Sequence, residues 1–164
     1  MEKLRLLVKG SGLKLINRFH VQMKSCQLPI SVKGIVFEED SVWLRKNERD
    51  EWELPGGKID EGEQLMETVT RELREELGFE VEAVKVIHAW MYKIKKSQDE
   101  SSDVPVLSYL CRLISKTGGF EIDSEAGKAE FRKFSLEEIG KLNMPDFYKE
   151  AIHLGWNELL RTRK

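Results

Sequence analysis

The strongest constraint on this chain is the stretch from Glu63 to Leu77, which holds neither glycine nor proline and is fenced by both. Before it, Pro55-Gly56-Gly57 ends any strand, and Gly62 closes a short polar loop. After it, Gly78 stands where a left-handed helix-ending residue belongs. At about 100° per residue, Leu65, Val69, Leu73 and Leu77 advance in steps of four and form one buried stripe. Glu72, Glu75 and Glu76 fall within an arc of about 100° beside that stripe. The spacing predicts a helix with three carboxylates on the margin between core and solvent.

Like charges three or four residues apart each cost a few tenths of a kcal/mol. A hard divalent cation removes that penalty, since Mg²⁺ takes oxygen ligands and pairs one or two carboxylates with substrate phosphates. Arg71 lies four residues before Glu75 and can orient it through a charge-assisted hydrogen bond. The loop glycines allow close approach of backbone to a ligand. Taken alone, Glu-Leu-Arg-Glu-Glu-Leu is an ordinary salt-bridged, solvated helix face. Its meaning depends on what surrounds it.

On either side the signals are mostly strands. Ser31–Phe37 and Ser41–Arg45 are short β-rich runs joined by the acidic turn Glu38-Glu39-Asp40. Phe79–Ile94 and Val104–Ile114 are rich in Val, Ile, Leu and aromatics, with a polar segment between Lys93 and Asp103 read as a loop. Glu130–Phe134 is a last short strand, and Ser135-Leu136-Glu137-Glu138 is a capping box that opens a helix. Pro145 suits the first turn of a final helix, with Phe147, Tyr148, Ala151, Ile152 and Leu159 near one face. Residues 1–29 read as an N-terminal extension or strands: Leu4, Leu6 and Val8 alternate before a Gly10-Ser11-Gly12 turn, although Leu13, Ile16, His20 and Met23 also fit a short helix. The expected class is α/β, an α/β/α sandwich with a central mixed β-sheet.

Length and charge narrow the function. The 164 residues suit one domain, residues 1–164, and 27 Lys+Arg against 29 Asp+Glu leave a net charge of −2. That balance gives no general footprint for nucleic acid. No apolar run approaches the roughly 18 residues of a membrane span, and charges at Glu2, Lys3, Arg5 and Lys9 interrupt any secretory core. Cys26 and Cys111 are far apart and read as reduced thiols, so a cytoplasmic location is expected.

The complete pattern decides the reading. Gly57, Glu63, Arg71-Glu72-Leu73, Glu75-Glu76 and Gly78-Phe79 match the signature positions of the Nudix box, residues 57–79, so the chain resembles the Nudix hydrolases. Trp52-Glu53-Leu54-Pro55-Gly56 and Gly62-Glu63 are similar as well. Thr68 and Val69 stand where the family often has alanine, and Lys133 where it often has Trp.

The resemblance implies a Mg²⁺- or Mn²⁺-dependent pyrophosphohydrolase acting on a nucleoside di- or triphosphate linked to another group. By the same resemblance, Glu72 and Glu76 are the principal metal ligands, Glu75 a third, and the Gly57 carbonyl a further one. Glu72 or Glu75 is then the general base, or Glu125 or Glu130 where the base comes from a later loop. Arg45 and Lys58 are candidates to meet phosphate, against a role as surface charges. Trp52 is a candidate to stack on a base, against core packing. His88, Trp90 and Tyr92 alternate along one strand face, where Trp90 is either a pocket wall or part of the core.

A nucleoside triphosphate is the favoured substrate, because the chain is short and carries no large insertion; an ADP-ribose-like sugar comes next. The Ser-Gln-Pro-Trp-Pro-Phe-Pro segment of NADH-cleaving relatives is absent. A nucleotide sensor that does not cut is one rival, against which all three glutamates are kept. RNA decapping is another, supported only by the small basic cluster Lys93, Lys95 and Lys96. A homodimer paired through the N-terminal strands is compatible with the sequence but not demanded by it.

Overall fold

The computed structural model describes residues 29–95, 101–117 and 130–162. The expected N-terminal strands, Cys26 and Glu125 lie outside the described residues. The framework is a six-stranded mixed sheet in the order β3 (Trp52–Glu53), β2 (Ser41–Lys46), β1 (Ser31–Glu38), β5 (Ser101–Lys116) and β4 (Phe79–Lys95), with β6 (Phe131–Ser135) paired to the other edge of β2.

Its centre is β1 (Ser31–Glu38), parallel to β5 (Ser101–Lys116) and antiparallel to β2 (Ser41–Lys46). Val32, Ile35 and Val36 of β1 are completely buried, as a strand covered on both faces requires. Val32 and Val36 pack with Val69, Leu73, Phe79 and Tyr109 on one side. Ile35 packs with Leu44, Leu54, Phe134, Tyr148 and Ile152 on the other. Helices therefore cover both faces.

The first covering helix, α1 (Leu65–Leu77), presses Leu73 onto β1 at Gly34, where an added Cβ would lie 2.6 Å from Leu73 Cδ1. Its stripe is as the spacing predicts, with Val69 and Leu73 completely buried. Gly78 ends it in the left-handed conformation, φ 65°, and donates its N–H to the Arg74 carbonyl at 2.9 Å. The helix begins at Leu65 rather than Glu63, because the Glu63 carboxylate belongs to the preceding loop and accepts the Asp60 N–H at 3.2 Å.

β4 (Phe79–Lys95) and β5 form a long hairpin bent by three register shifts. Pairing runs outward through Lys93 opposite Asp103 to Lys95 opposite Ser101, so much of the segment expected as loop is strand. Its polar composition marks distance from the core, and opposite charges across the hairpin favour pairing there.

The short β3 (Trp52–Glu53) pairs with the end of β2, and β6 (Phe131–Ser135) runs along the other edge of β2. Ser135 opens the one-turn α2 (Leu136–Ile139), its N–H donating to Glu138 at 2.8 Å, as the capping box predicts. The last helix, α3 (Asp146–Thr162), buries Tyr148, Ala151, Ile152 and Gly155 against the sheet. Among the described residues no helix is long and apolar enough to cross a membrane.

Candidate active site

The Pro55–Ile59 loop runs beside β1 and is tied to it by backbone hydrogen bonds. Gly34 N–H donates to the Pro55 carbonyl at 2.9 Å, Val32 N–H to the Gly57 carbonyl at 2.8 Å, and Ile59 N–H to the Ile30 carbonyl at 3.1 Å. Two glycines make this approach possible. Gly56 has φ +127°, and a Cβ there would overlap the Val32 carbonyl. At Gly57 a Cβ would overlap the Glu72 carboxylate itself. Glu76 reaches the same loop, accepting the Gly56 N–H on Oε2 at 2.7 Å. Sheet, loop and helix thus bring Glu72 and Glu76 against one glycine turn.

Arg71 orders the carboxylates on the open side. Its Nη1 donates to Glu72 Oε1 at 2.9 Å and to Glu75 Oε2 at 3.0 Å. The helix spacing anticipates the Glu75 contact, but the fork-to-fork pair is with Glu63: Nε to Oε1 at 2.7 Å and Nη2 to Oε2 at 3.1 Å. Thr68 donates its hydroxyl to Glu63 Oε2 at 2.8 Å, so the residue that departs from the family's usual alanine supports this pair. Together Arg71 and then Thr68 hold Glu63 down to about 2.

Burial separates the three box glutamates. The side chains of Glu72 and Glu76 are 16% and 19% exposed, whereas Glu75 is 59% exposed. Burial pushes the proton affinity of Glu72 and Glu76 up, while Arg71 pulls Glu72 back, and Lys33 with the Gly56 N–H pull Glu76 back. For both, burial outweighs the cations beside them. Among the described residues, no three His, Cys, Asp or Glu side chains converge on one point.

A second, more buried network lies behind the loop. Lys33, only 8% exposed, donates Nζ to the Gly56 carbonyl at 2.9 Å and stands 3.5 Å from Glu53 Oε1. Arg45 donates Nη1 to the same Glu53 oxygen at 3.0 Å. Its Nε is buried without a hydrogen bond, at 3.5 Å from Glu76 Oε1. Sequence reasoning missed Lys33 and Glu53. Their signal was a charge inside an apolar run: Val32-Lys33-Gly34-Ile35 and Trp52-Glu53-Leu54.

The other candidates are dispersed. The Gly57 carbonyl already accepts from Val32 N–H and, at 3.2 Å, from the Ser31 hydroxyl, so a cation there would displace the latter. Lys58 points its side chain to solvent, and its carbonyl accepts from Arg71 at 3.4 Å. Trp52 is buried edge-on against Phe134, ring centroids 4.5 Å apart, in the core. Trp90 is half-buried between His88, Phe147 and Tyr148, with its Nε1 buried and unbonded. Tyr92 meets Phe147 at 5.6 Å, so the alternating trio does share a face. Glu130 is exposed near Lys46 at 3.9 Å. Lys133 pairs with Glu38 at 3.2 Å beside the Trp43 ring. Cys111 is buried, and burial pushes its thiol up to about 12.

The NUDIX domain family model matches residues 27–154, which take in all six strands, α1, α2 and the first half of α3. The chain belongs to the NUDIX family. An RNA pyrophosphohydrolase of Pseudoalteromonas atlantica is 38% identical over 68 residues, 39% of this chain and 39% of that protein. An 8-oxo-dGTP diphosphatase of Buchnera aphidicola is 33% identical over 70 residues, 40% of this chain and 54% of that protein. The matches thus span about two fifths to one half of the length of these relatives. An ADP-ribose pyrophosphatase from Streptococcus suis has TM-score 0.56 at 24% identity, covering 79% of this chain and 90% of that one. That likeness is one of fold. It places the NUDIX chain among α/β/α sandwiches with a mixed sheet.

Proposed function

We propose that this NUDIX protein is a divalent-metal-dependent pyrophosphohydrolase, with Mg²⁺ or Mn²⁺ held by Glu72 and Glu76 and hydrolysing a phosphoric anhydride of a nucleotide. One observation carries the reading: Gly57 leaves room for nothing larger than hydrogen beside the buried Glu72 carboxylate, while Glu76 is pinned to the N–H of the preceding residue, Gly56. A loop with no ligand to place has no need of this approach.

The residues fit a hard cation. The donor set is all oxygen, both glutamates are mostly buried, and burial makes their charge costly without a partner. When bound, such an ion polarises the attacked phosphoryl group and lowers the pKa of water. Glu75, exposed and steered by the Arg71 Nη1 that also holds Glu72, is the group we assign to take the proton from attacking water. Arg71 fixes the spacing of these groups by gripping Glu63 with its other nitrogens. Half-buried Trp90, with an unbonded Nε1 beside Phe147 and His88, is the wall we assign to the nucleobase.

A nucleoside triphosphate remains the preferred substrate, in keeping with the 8-oxo-dGTP diphosphatase relative. A second reading, a 5′-triphosphate on RNA, is favoured by the relatives named RNA pyrophosphohydrolase. An ADP-ribose-like sugar is the third member of the class. A panel of canonical and oxidised nucleoside triphosphates, ADP-ribose and triphosphorylated RNA, assayed with Mg²⁺ and Mn²⁺, tests the proposal. Expected is metal-dependent release of pyrophosphate or nucleoside monophosphate from one class, reduced by orders of magnitude in Glu76→Gln. Tight nucleotide binding without cleavage of any member would favour a sensor instead.

A further inference from the structure

Lys33 has no place in that chemistry, yet it is the costliest residue in its strand. An ammonium so deeply buried needs strong compensation. A central strand flanked by Val32 and Ile35 would be served by an apolar side chain. What surrounds Lys33 is a set of oxygens: the Gly56 carbonyl at 2.9 Å and Glu53 Oε1 at 3.5 Å. Arg45 already pairs with Glu53 at 3.0 Å, so Glu53 does not depend on Lys33 for a cation. The ammonium is aimed instead at the carbonyl that joins Gly56 to Gly57: the N–H of Gly56 holds Glu76, and Gly57 lies against the Glu72 carboxylate.

We propose that Lys33 is a tethered resident cation of the metal site: it neutralises the glutamate cluster in the metal-free protein and weakens its affinity for divalent metal. This rests on the reading of Glu72 and Glu76 as metal ligands. A fixed positive charge beside a divalent site opposes metal entry by Coulomb repulsion, and in a buried setting that repulsion is little screened. The same charge keeps the empty cluster from repelling itself apart. Lys33 is thus a positioning residue, setting the balance between a stable empty site and a tight one. Metal then enters most readily with a polyphosphate, whose negative charge offsets the ammonium.

The test is Mn²⁺ affinity by calorimetry or electron paramagnetic resonance, with melting temperature measured with and without metal. Lys33→Met keeps the stem and removes the charge; Lys33→Arg keeps the charge. Expected for Lys33→Met is Mn²⁺ binding tighter by roughly tenfold or more, a lower melting temperature without metal, and a larger rise on adding it. Lys33→Arg should bind Mn²⁺ within a few-fold of the parent. A Lys33→Met protein that melts lower but binds Mn²⁺ as the parent does would make Lys33 a structural counter-ion and overturn the inference. Should that variant not fold, the Lys33 ammonium signal of the ¹⁵N-labelled parent serves: it shifts on Mg²⁺ saturation if the inference holds and stays put if it fails. No Mn²⁺ binding by parent or variant would contradict the metal-site reading itself.

Discussion

Gly57 and Glu72, fifteen positions apart in sequence, share a space that admits only a hydrogen on the glycine side. The contact joins the loop to the helix at the point where the anionic face is most buried. It gives the first prediction. Gly57→Ala forces the Glu72 carboxylate aside, and because that group ends a flexible side chain, the fold yields there at small cost. Metal affinity should fall by roughly 10–100-fold, with the melting temperature within a few degrees of the parent. A coincident collapse of both would make Gly57 a folding residue only.

Arg71→Lys tests the clamp. Lysine offers a point charge and cannot grip Glu63 with two nitrogens while holding Glu72 and Glu75 with a third. kcat should drop about 10–100-fold with KM little changed. A change in KM alone would place Arg71 on the substrate instead.

Acid stability follows from depressed carboxylates. Arg71 holds Glu63 at about 2, and Lys116, with Lys133 and Trp43, holds Glu38 at about 2. Both lie below their ordinary value of 4.5, so each contributes stability that is complete above 4.5 and lost as pH falls toward 2. Glu63→Gln should therefore melt below the parent at pH 7, and the gap should narrow steadily as pH falls from 4.5 toward 2. A gap independent of pH would mean that packing, not charge, carries the Glu63 contribution.

Trp90→Phe keeps the ring contacts with Phe147 and Tyr148 and removes the unbonded Nε1 donor. KM for the preferred nucleotide should rise several-fold, while kcat and the melting temperature hold. A lower melting temperature with unchanged KM would place Trp90 in the core.

Much of this architecture was legible because local signals agreed. The four-residue stripe of α1, the Gly78 stop and the capping box at Ser135 each act within one or two turns, and all appear where spacing puts them. What was hidden depends on partners distant in sequence. Lys33 meets Gly56 across a strand-to-loop contact, and Arg45 meets Glu53 across β2 and β3. Arg71 was read by its helical neighbour Glu75, whereas its bidentate partner Glu63 lies outside the helix. Trp52 and Trp90 look alike as sequence; only the layers distinguish a buried ring from a half-buried one with an unbonded donor. The hairpin end was misread because polar composition there reflects the end of the core, not the end of pairing.

The most direct measurement is anomalous diffraction from crystals of this protein grown with Mn²⁺ and a non-hydrolysable nucleoside triphosphate. Density for manganese bonded to Glu72 and Glu76, touching the phosphate chain and lost in the Glu76→Gln crystal, is the predicted result. A fully occupied nucleotide with no anomalous peak beside those carboxylates would contradict the account.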